Sequence, residues 1–172
     1  MSYVQAIPPK NYCVRDVRYC CSNCGKSFSV LYPEHNELVK YVETDSGEER
    51  WLPTFGDLGY LDLMERLVPS FSKGSEISMS ISREFEKEFS RIQERSESGR
   101  PFSLFIKAIC PNCEGENLQI EQEQKLESPP LPWMRFWLED WCLLIRPNRP
   151  ICNPTSQPKA RLPSGAKVDR KH

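Results

Sequence analysis

The residues best suited to chemistry in this chain are its eight cysteines, four of which occur in two closely spaced pairs. Two residues separate Cys21 from Cys24, two separate Cys110 from Cys113, and a glycine lies close after each pair. A two-residue spacer forms a tight turn from which both thiolates can point at one metal ion. A nearby glycine tolerates the positive φ that such a turn often requires. One pair alone would be a weak signal, but two pairs strongly predict a metal site.

An even number of cysteines could also form four disulfides, so the cellular compartment matters. The N-terminal sequence MSYVQAIPPKNYC contains no apolar stretch of signal-peptide length. Without such a signal a reducing compartment is favoured, and we predict a cytoplasmic location with free or metal-bound thiols. No run of about 18 apolar residues occurs, so no membrane-spanning helix is expected.

Two reactive roles for the cysteine pairs are less well supported than a structural metal. A thioredoxin-like dithiol would open a helix after a strand in a βαβ pattern, and neither pair has these surroundings. A catalytic zinc usually keeps one open position and often has histidine or glutamate among its ligands. The chain has only two histidines, His35 and His172, and neither lies at ligand spacing from a pair.

The two motifs resemble those of the zinc-ribbon class, in which two β-hairpin knuckles share one zinc ion. Residues 21–28 read C-S-N-C-G-K-S-F, similar to the knuckle C-x-x-C-G-x-x-F, and residues 110–113 read C-P-N-C, similar to its C-P-x-C partner. The resemblance covers residues 12–32 together with 102–126. It implies a Zn²⁺ cofactor with four ligands: Cys21, Cys24, Cys110 and Cys113. The 85 residues between Cys24 and Cys110 depart from the usual short connection, so residues 33–101 are interpreted as an α/β insertion between the knuckles.

The remaining cysteines leave alternatives open. Cys20 is adjacent to Cys21 and could pair with Cys24 in its place. A second zinc bound by Cys13, Cys20, Cys142 and Cys152 is conceivable, but their spacing is not typical of a knuckle. Buried free thiols are the simpler interpretation, since cysteine behaves as a small hydrophobic residue.

The knuckles need strands to position them, and the flanking residues favour strands. Alternating or β-branched and aromatic residues occur on both sides of each pair. Strands are therefore predicted at residues 14–19 and 28–32 around the first pair, and at 102–106 and 118–121 around the second. Two hairpins joined at their tips by one zinc ion would form a small antiparallel sheet.

The predicted insertion mixes both kinds of secondary structure. Strands are expected at 38–42, 50–52 and 77–81, with a turn at 44–47. A helix is predicted to start at 54–57 and to end at Pro69, with apolar residues Leu58, Leu61, Met64 and Leu67. From Ser82 a second helix is predicted up to residues 98–101, with Phe85, Phe89 and Ile92 on its apolar face.

Tryptophans mark a third predicted helix, over residues 131–145 after a proline-rich connector. Trp133, Trp137 and Trp141 recur at intervals of four, which places them on one helical face. Burying each aromatic side chain contributes several kcal/mol, at about 25 cal/mol per Å² over roughly 150–250 Å². We expect the three tryptophans to dock on the Phe85–Phe89–Ile92 face. Their alternative role is to bind a groove on a partner protein, and membrane-surface anchoring comes third.

Charge is unevenly distributed along a chain whose net charge is only −1. Residues 1–30 and 131–172 are net positive, whereas residues 31–130 are net negative. The balance excludes a globally basic protein that coats nucleic acid. Residues 146–172 are basic, rich in proline and without aromatic residues, so a flexible tail is predicted there.

These observations predict an α+β fold: a split four-cysteine zinc ribbon with a mixed α/β insertion between the knuckles and a C-terminal Trp-rich helix. The favoured function is a zinc-stabilised protein-interaction or adaptor module without catalytic activity. The alternative is a nucleic-acid-binding accessory factor that uses its basic termini, with Tyr12, Tyr19 and Phe28 available to stack on bases. An enzyme within the insertion is a minor alternative, because its candidate acids Glu34, Asp57 and Asp62 have no evident base or metal.

Overall fold

The computed structural model describes residues 3–72 and 74–137, a mixed α/β structure made mostly of strands. Its strands and helices, in chain order, are β1 Tyr3–Gln5, β2 Cys13–Cys21, β3 Ser27–Pro33, β4 Leu38–Val42, β5 Glu49–Pro53, α1 Tyr60–Leu67, α2 Met79–Ile92, β6 Ser103–Leu104, β7 Leu118–Glu127 and β8 Arg135–Trp137. Predictions for residues 138–172, including Trp141, Cys142, Cys152 and the basic tail, lie outside the described residues.

Three strands form an antiparallel sheet around the first cysteine pair, here called the knuckle sheet, in the order β3-β2-β7. The β2–β3 hairpin confirms the strands predicted on both sides of Cys21 and Cys24. β7 lies on the other side of β2 and begins at Leu118, as predicted, but runs on to Glu127. A register shift between Arg18 and Tyr19 leaves Glu121 of β7 opposite no residue of β2.

The strand predicted at residues 102–106 does not belong to the knuckle sheet, so the predicted pair of hairpins is wrong. Only Ser103 and Leu104 are in a strand, β6, and they pair with β4 in a second sheet ordered β5-β4-β6. Phe102 is 2% exposed and belongs to the main core. Burial of its ring therefore draws this segment towards β4, and the second cysteine pair has a strand only on its C-terminal side.

The β4–β5 hairpin agrees with the sequence. β4 has the predicted bounds, and the chain turns between Glu43 and Glu48. The Glu43 carboxylate accepts the backbone N–H groups of Asp45 and Ser46, and Gly47 takes a φ of 71°. These bonds close the turn within its own few residues, which explains why local sequence predicted it.

Both helices start at positions other than those predicted. α1 starts at Tyr60, because Gly56 and Leu58 adopt positive φ and keep the preceding loop out of the helix. α2 starts at Met79, with Ser78 as its N-cap accepting the Ile81 N–H, so the strand predicted at 77–81 is wrong. The serines that suggested an alternating strand act here as a helix cap. The buried face of α2, Phe85, Phe89 and Ile92, is as predicted.

The helix predicted at 131–145 is wrong for residues 133–137. Trp133 forms a parallel bridge with Trp51, and Arg135–Trp137 is the strand β8, antiparallel to β1. Backbone hydrogen bonds hold this extended segment: Trp51 N–H donates to the Pro132 carbonyl, and Met134 N–H donates to the Trp51 carbonyl.

The extended segment is nevertheless anchored on the α2 face. Met134 and Phe136 are fully buried, and the Phe136 ring lies 5.8 Å from that of Phe89. Met134 and Phe136 enter the main core together because alternate side chains of a strand point to the same side. Trp133 packs on Tyr12 and Trp137 on Tyr3, and neither tryptophan is fully buried. The expectation that the tryptophans dock on the α2 face is therefore wrong for these two, because Met134 and Phe136 occupy that place in the core.

Across residues 3–72 and 74–137, neither helix combines the length and apolar character needed to cross a membrane.

Candidate metal centre

The first knuckle, residues 21–26, is a turn between two paired strands. The Gly25 N–H donates to the Cys21 carbonyl at 2.8 Å, and the Cys21 N–H donates to the Lys26 carbonyl at 3.0 Å. Gly25 has a φ of 68°, which an L-residue other than glycine adopts only at a cost. Gly25, which follows the second cysteine of the first pair, therefore provides the positive φ that the sequence predicted for this turn.

The second knuckle, residues 110–115, repeats the same hydrogen bonds. The Glu114 N–H donates to the Cys110 carbonyl at 2.8 Å, and the Cys110 N–H donates to the Gly115 carbonyl at 2.9 Å. The positive φ, 56°, falls on Glu114, which occupies the position of Gly25. The expectation that glycine supplies this conformation in both knuckles is therefore wrong for the second one.

Gly115 has a different effect, which is to leave space between the knuckles. A Cβ atom on Gly115 would lie 2.5 Å from Nδ2 of Asn23 and 3.2 Å from Sγ of Cys113. The first distance is shorter than any ordinary contact, and the second is tight. A side chain at this position would have to displace a residue of the first knuckle or press on a sulfur of the second.

Backbone pairing brings the two knuckles together. Cys21, the last residue of β2, is opposite Leu118 of β7, and the Ser22 N–H donates to the Asn117 carbonyl at 2.9 Å. The four cysteine sulfurs, those of Cys21, Cys24, Cys110 and Cys113, all lie within 4.8 Å of one another. The prediction that the two pairs come together is thus confirmed, and the resulting cluster could hold a metal ion.

The distances between sulfurs fit a tetrahedral ion. Cys21 Sγ and Cys113 Sγ are 3.6 Å apart, as are Cys24 Sγ and Cys110 Sγ. Sulfurs at about 2.3 Å from a tetrahedral zinc ion would be about 3.8 Å from each other, whereas a disulfide bond is about 2.05 Å long. The four residues therefore have the geometry of ligands around one ion and not that of two disulfides.

The four sulfurs differ in burial and in acidity. Cys21 and Cys110 are fully buried, Cys24 is half-buried and Cys113 is exposed. A hydrogen bond from the Lys26 backbone lowers the pKa of Cys24 to about 6. At Cys113 the Gly115 backbone favours the thiolate, but hydrogen bonds with Cys21 and Cys24 outweigh it and raise the pKa to about 12. A bound cation would reverse this competition, because its charge stabilises all four thiolates together.

The chemistry open to such a cluster is limited. Four thiolates complete a tetrahedral shell, which leaves no position for a substrate or an activated water. Over the part of the chain that the structure describes, no other group of three or more Cys, His, Asp or Glu side chains is arranged to hold a metal ion. The arrangement suits a structural site.

Cys20 is not part of the four-sulfur cluster, so the alternative in which it pairs with Cys24 in place of Cys21 is wrong. It follows Tyr19 in β2 and pairs with Ser27 and Gln119, so its side chain points to the opposite face of the knuckle sheet from that of Cys21. Cys13 lies at the far end of β2. Both are free, half-buried thiols.

The acidic residues considered for catalysis are engaged in ion pairs. Asp57 and Asp62 line an open pocket beside α1, and Nη2 of Arg66 lies 2.8 Å from a carboxylate oxygen of each. Arg15 Nε lies 2.9 Å from Glu34 Oε2, although these two atoms are not aligned for a hydrogen bond. The structure thus brings Asp57 and Asp62 together, but both carboxylates form ion pairs with Arg66.

The side chains considered for nucleic-acid binding are also largely occupied. Tyr12 is buried, and Tyr19 packs on Phe28 at 5.8 Å between ring centres. Arg15 pairs with Glu123 at 2.8 Å, and Arg18 pairs with Glu121 at 3.2 Å. Each of these carboxylates comes from β7, the strand next to the arginines.

Sequence reasoning missed Asn23 and the spatial role of Gly115. A signal was present, because an asparagine directly precedes the second cysteine of each pair, as Asn23 and as Asn112. Repetition at equivalent positions indicates a shared role, but the contact between Asn23 and Gly115 lies across two segments that are far apart in sequence.

No family model, no curated protein and no solved structure matches this chain.

Proposed function

We propose that the protein is a zinc-stabilised interaction module without catalytic activity, in which Cys21, Cys24, Cys110 and Cys113 bind one structural Zn²⁺ ion in the manner of a zinc ribbon. The observation that carries this proposal is the four-sulfur cluster, with 3.6 Å between sulfurs of opposite knuckles. When bound, the ion supplies a rigid cross-link and no reaction of its own.

The cross-link would join parts of the chain that are far apart in sequence. The segment between Cys24 and Cys110 contains β3, β4, β5, both helices and β6. A metal that closes so long a loop removes much conformational freedom from the unfolded chain. Metal binding in sites of this kind is therefore largely folding free energy.

A surface next to the cluster supports a role in binding other proteins. Three isoleucines there, the isoleucine surface, keep 85% (Ile106), 42% (Ile109) and 60% (Ile120) of their area exposed. Ile120 lies in one row of the knuckle sheet with Tyr19 and Phe28.

The other two isoleucines belong to a segment that crosses the same face of the sheet. Phe105 packs on Tyr32, a backbone hydrogen bond links Ala108 to the Tyr32 hydroxyl, and that hydroxyl lies 2.9 Å from the hydroxyl of Tyr19. Exposed apolar side chains on this face and on the segment that crosses it would give a partner protein apolar area to bury.

A protein partner is better supported than nucleic acid. Residues 110–127 carry five glutamates and one lysine, and Arg15 and Arg18 are paired with two of these glutamates. Phosphate groups would have to compete with these carboxylates, and electrostatic attraction is the main source of nonspecific nucleic-acid affinity.

Metal analysis of the reduced, freshly purified full chain tests the cluster. We expect one equivalent of zinc, which Cys21→Ser should abolish and Cys20→Ser, its neighbour outside the cluster, should leave unchanged. Less than about half an equivalent in the unaltered protein would contradict the proposal.

Comparative capture tests the interaction. Tagged protein is incubated with nuclease-treated host lysate, and the captured proteins are compared with those of the variant Ile106→Glu/Ile120→Glu. The control is Met79→Glu, at an equally apolar residue that is 75% exposed at the start of α2. A protein lost only by the double variant supports the proposal, whereas identical capture by all three chains contradicts it.

A further inference from the structure

Each knuckle contributes one asparagine, and the asparagine of the first knuckle reaches the second. Asn23 Nδ2 lies 2.5 Å, and Asn23 Cγ 3.2 Å, from the point that a Cβ on Gly115 would occupy. The same point is 3.2 Å from Cys113 Sγ. The amide of Asn23 is therefore packed on the Gly115 backbone directly beside a sulfur of the cluster.

Gly115 is the residue that holds both cysteines of the second knuckle. Its carbonyl accepts the Cys110 N–H at 2.9 Å, and its own N–H hydrogen-bonds the Cys113 sulfur. A shift of this residue would disturb Cys110 and Cys113 together. A side chain that fixes Gly115 consequently acts on both sulfur positions.

Cys113 is the sulfur in greatest need of such support. It is exposed, whereas Cys21 and Cys110 are fully buried. The chain that enters the second knuckle is not paired as a strand, since residues 105–109 are outside β6 and β7. Support for this knuckle has to come from neighbouring residues. One such contact is the hydrogen bond from the Ser22 N–H to the Asn117 carbonyl, which joins the first knuckle, next to Asn23, to the segment that follows the second.

We propose that Asn23 is a positioning residue for the exposed cysteine of the opposite knuckle: by packing on Gly115 it keeps Cys113 Sγ in place and slows the loss of that sulfur from the metal. The inference rests on the proposed zinc site. Residues outside the ligand set that orient ligands typically change metal affinity by about 10–100-fold when they are replaced.

The test uses the zinc-loaded full chain and two probes, iodoacetamide and a zinc-binding chromophoric chelator. We expect Asn23→Ala to speed the alkylation of Cys113, located by peptide mass spectrometry, by about 10-fold, with a smaller change at Cys24, and to speed zinc transfer to the chelator. Ser22→Ala is the matched control, because it alters the adjacent exposed side chain and keeps the backbone bond to Asn117.

A complementary change separates positioning from general loosening. Gly115→Ala alone should also speed alkylation of Cys113, since the new methyl group collides with Asn23. In the double variant Asn23→Ala/Gly115→Ala the collision with Asn23 is absent and only the 3.2 Å approach to Cys113 Sγ remains, so the acceleration at Cys113 should be smaller than the product of the two single accelerations. This non-additivity requires the contact between the two residues.

The possible outcomes are distinct. Full zinc content with an unchanged Cys113 rate in Asn23→Ala overturns the inference, and so does an equal acceleration at all four cysteines. Accelerations that simply multiply in the double variant overturn it as well, because they would show that the two residues act independently. A chain that binds no zinc would overturn the proposed function together with this inference, and metal analysis identifies that case before any rate is measured.

Discussion

The two knuckles make the same hydrogen bonds with different support from their surroundings. The first lies between β2 and β3 and has glycine where φ is positive, whereas the second is paired only on its C-terminal side and has Glu114 at that position. The buried sulfurs are the first of each pair, Cys21 and Cys110, and the exposed sulfur belongs to the second knuckle. One turn geometry can thus be reached from two sequences, provided that tertiary contacts supply what the local sequence lacks.

The largest effects should come from the cysteines themselves, and they should be unequal. Cys21→Ser removes a buried sulfur and is expected to abolish stoichiometric zinc binding and to lower the free energy of unfolding by more than about 3 kcal/mol. Cys113→Ser, at the exposed position, should cost less, because water can complete the shell there. Denaturant unfolding with zinc present measures both values, and an equal or larger loss for Cys113→Ser would contradict the proposed difference between the knuckles.

The segment entering the second knuckle should be sensitive to the loss of Phe105. This half-buried ring packs on Tyr32, and its centre lies 4.7 Å from Lys40 Nζ, so it is one of the anchors of residues 105–109, beside the Phe105 N–H bond to the Lys40 carbonyl. Phe105→Ala should lower the free energy of unfolding by about 2 kcal/mol, less than for a fully buried phenylalanine.

The same change should speed zinc transfer to a chelator. Phe28→Ala, in the strand that leaves the first knuckle, provides the comparison, because backbone pairing with β2 remains after the ring is lost. If Phe28→Ala speeds zinc transfer as much as Phe105→Ala does, then strand pairing does not protect the first knuckle.

Replacing the glycine of the first knuckle should have a smaller effect. Gly25 has open space around a new Cβ, so Gly25→Ala introduces only the cost of a positive φ, about 1 kcal/mol. Gly99→Ala is a suitable control, because that glycine also has positive φ and open space but lies away from the cysteines. Similar losses of stability are expected for the two variants, with faster zinc transfer only for Gly25→Ala.

The smallest expected effect is a gain. Glu114→Gly removes the strain of a positive φ from the second knuckle, but it also adds freedom to the unfolded chain. The net stabilisation should be about 0.5 kcal/mol, and it is measured as a shift of the denaturation midpoint with zinc present. A loss of stability would mean that the Glu114 side chain contributes more to the knuckle than its backbone strain costs.

Local sequence was enough to predict the features that close within a few residues. The cysteine spacing predicted both turns, alternation predicted the strands on either side of the first knuckle, and the interval between Phe85, Phe89 and Ile92 predicted the buried face of α2. The β4–β5 turn belongs to this group, since Glu43 binds the backbone two and three residues ahead. In each case the stabilising contacts and the sequence pattern occupy the same short segment.

Tertiary structure decided the features whose partners are distant in sequence. Residues 102–106 resemble a knuckle strand, yet burial of Phe102 and pairing with Tyr41 and Val42 place them beside β4. The tryptophan spacing resembles a helix, yet residues 133–137 are extended, because Trp51 and β1 offer backbone partners. Backbone groups buried in a fold must be hydrogen-bonded, and the strand that provides the partner lies outside any local window of sequence. The same contrast holds at the metal centre. The spacing within each pair identified the four cysteines, whereas the contact between Asn23 and Gly115 forms only when both knuckles are in place.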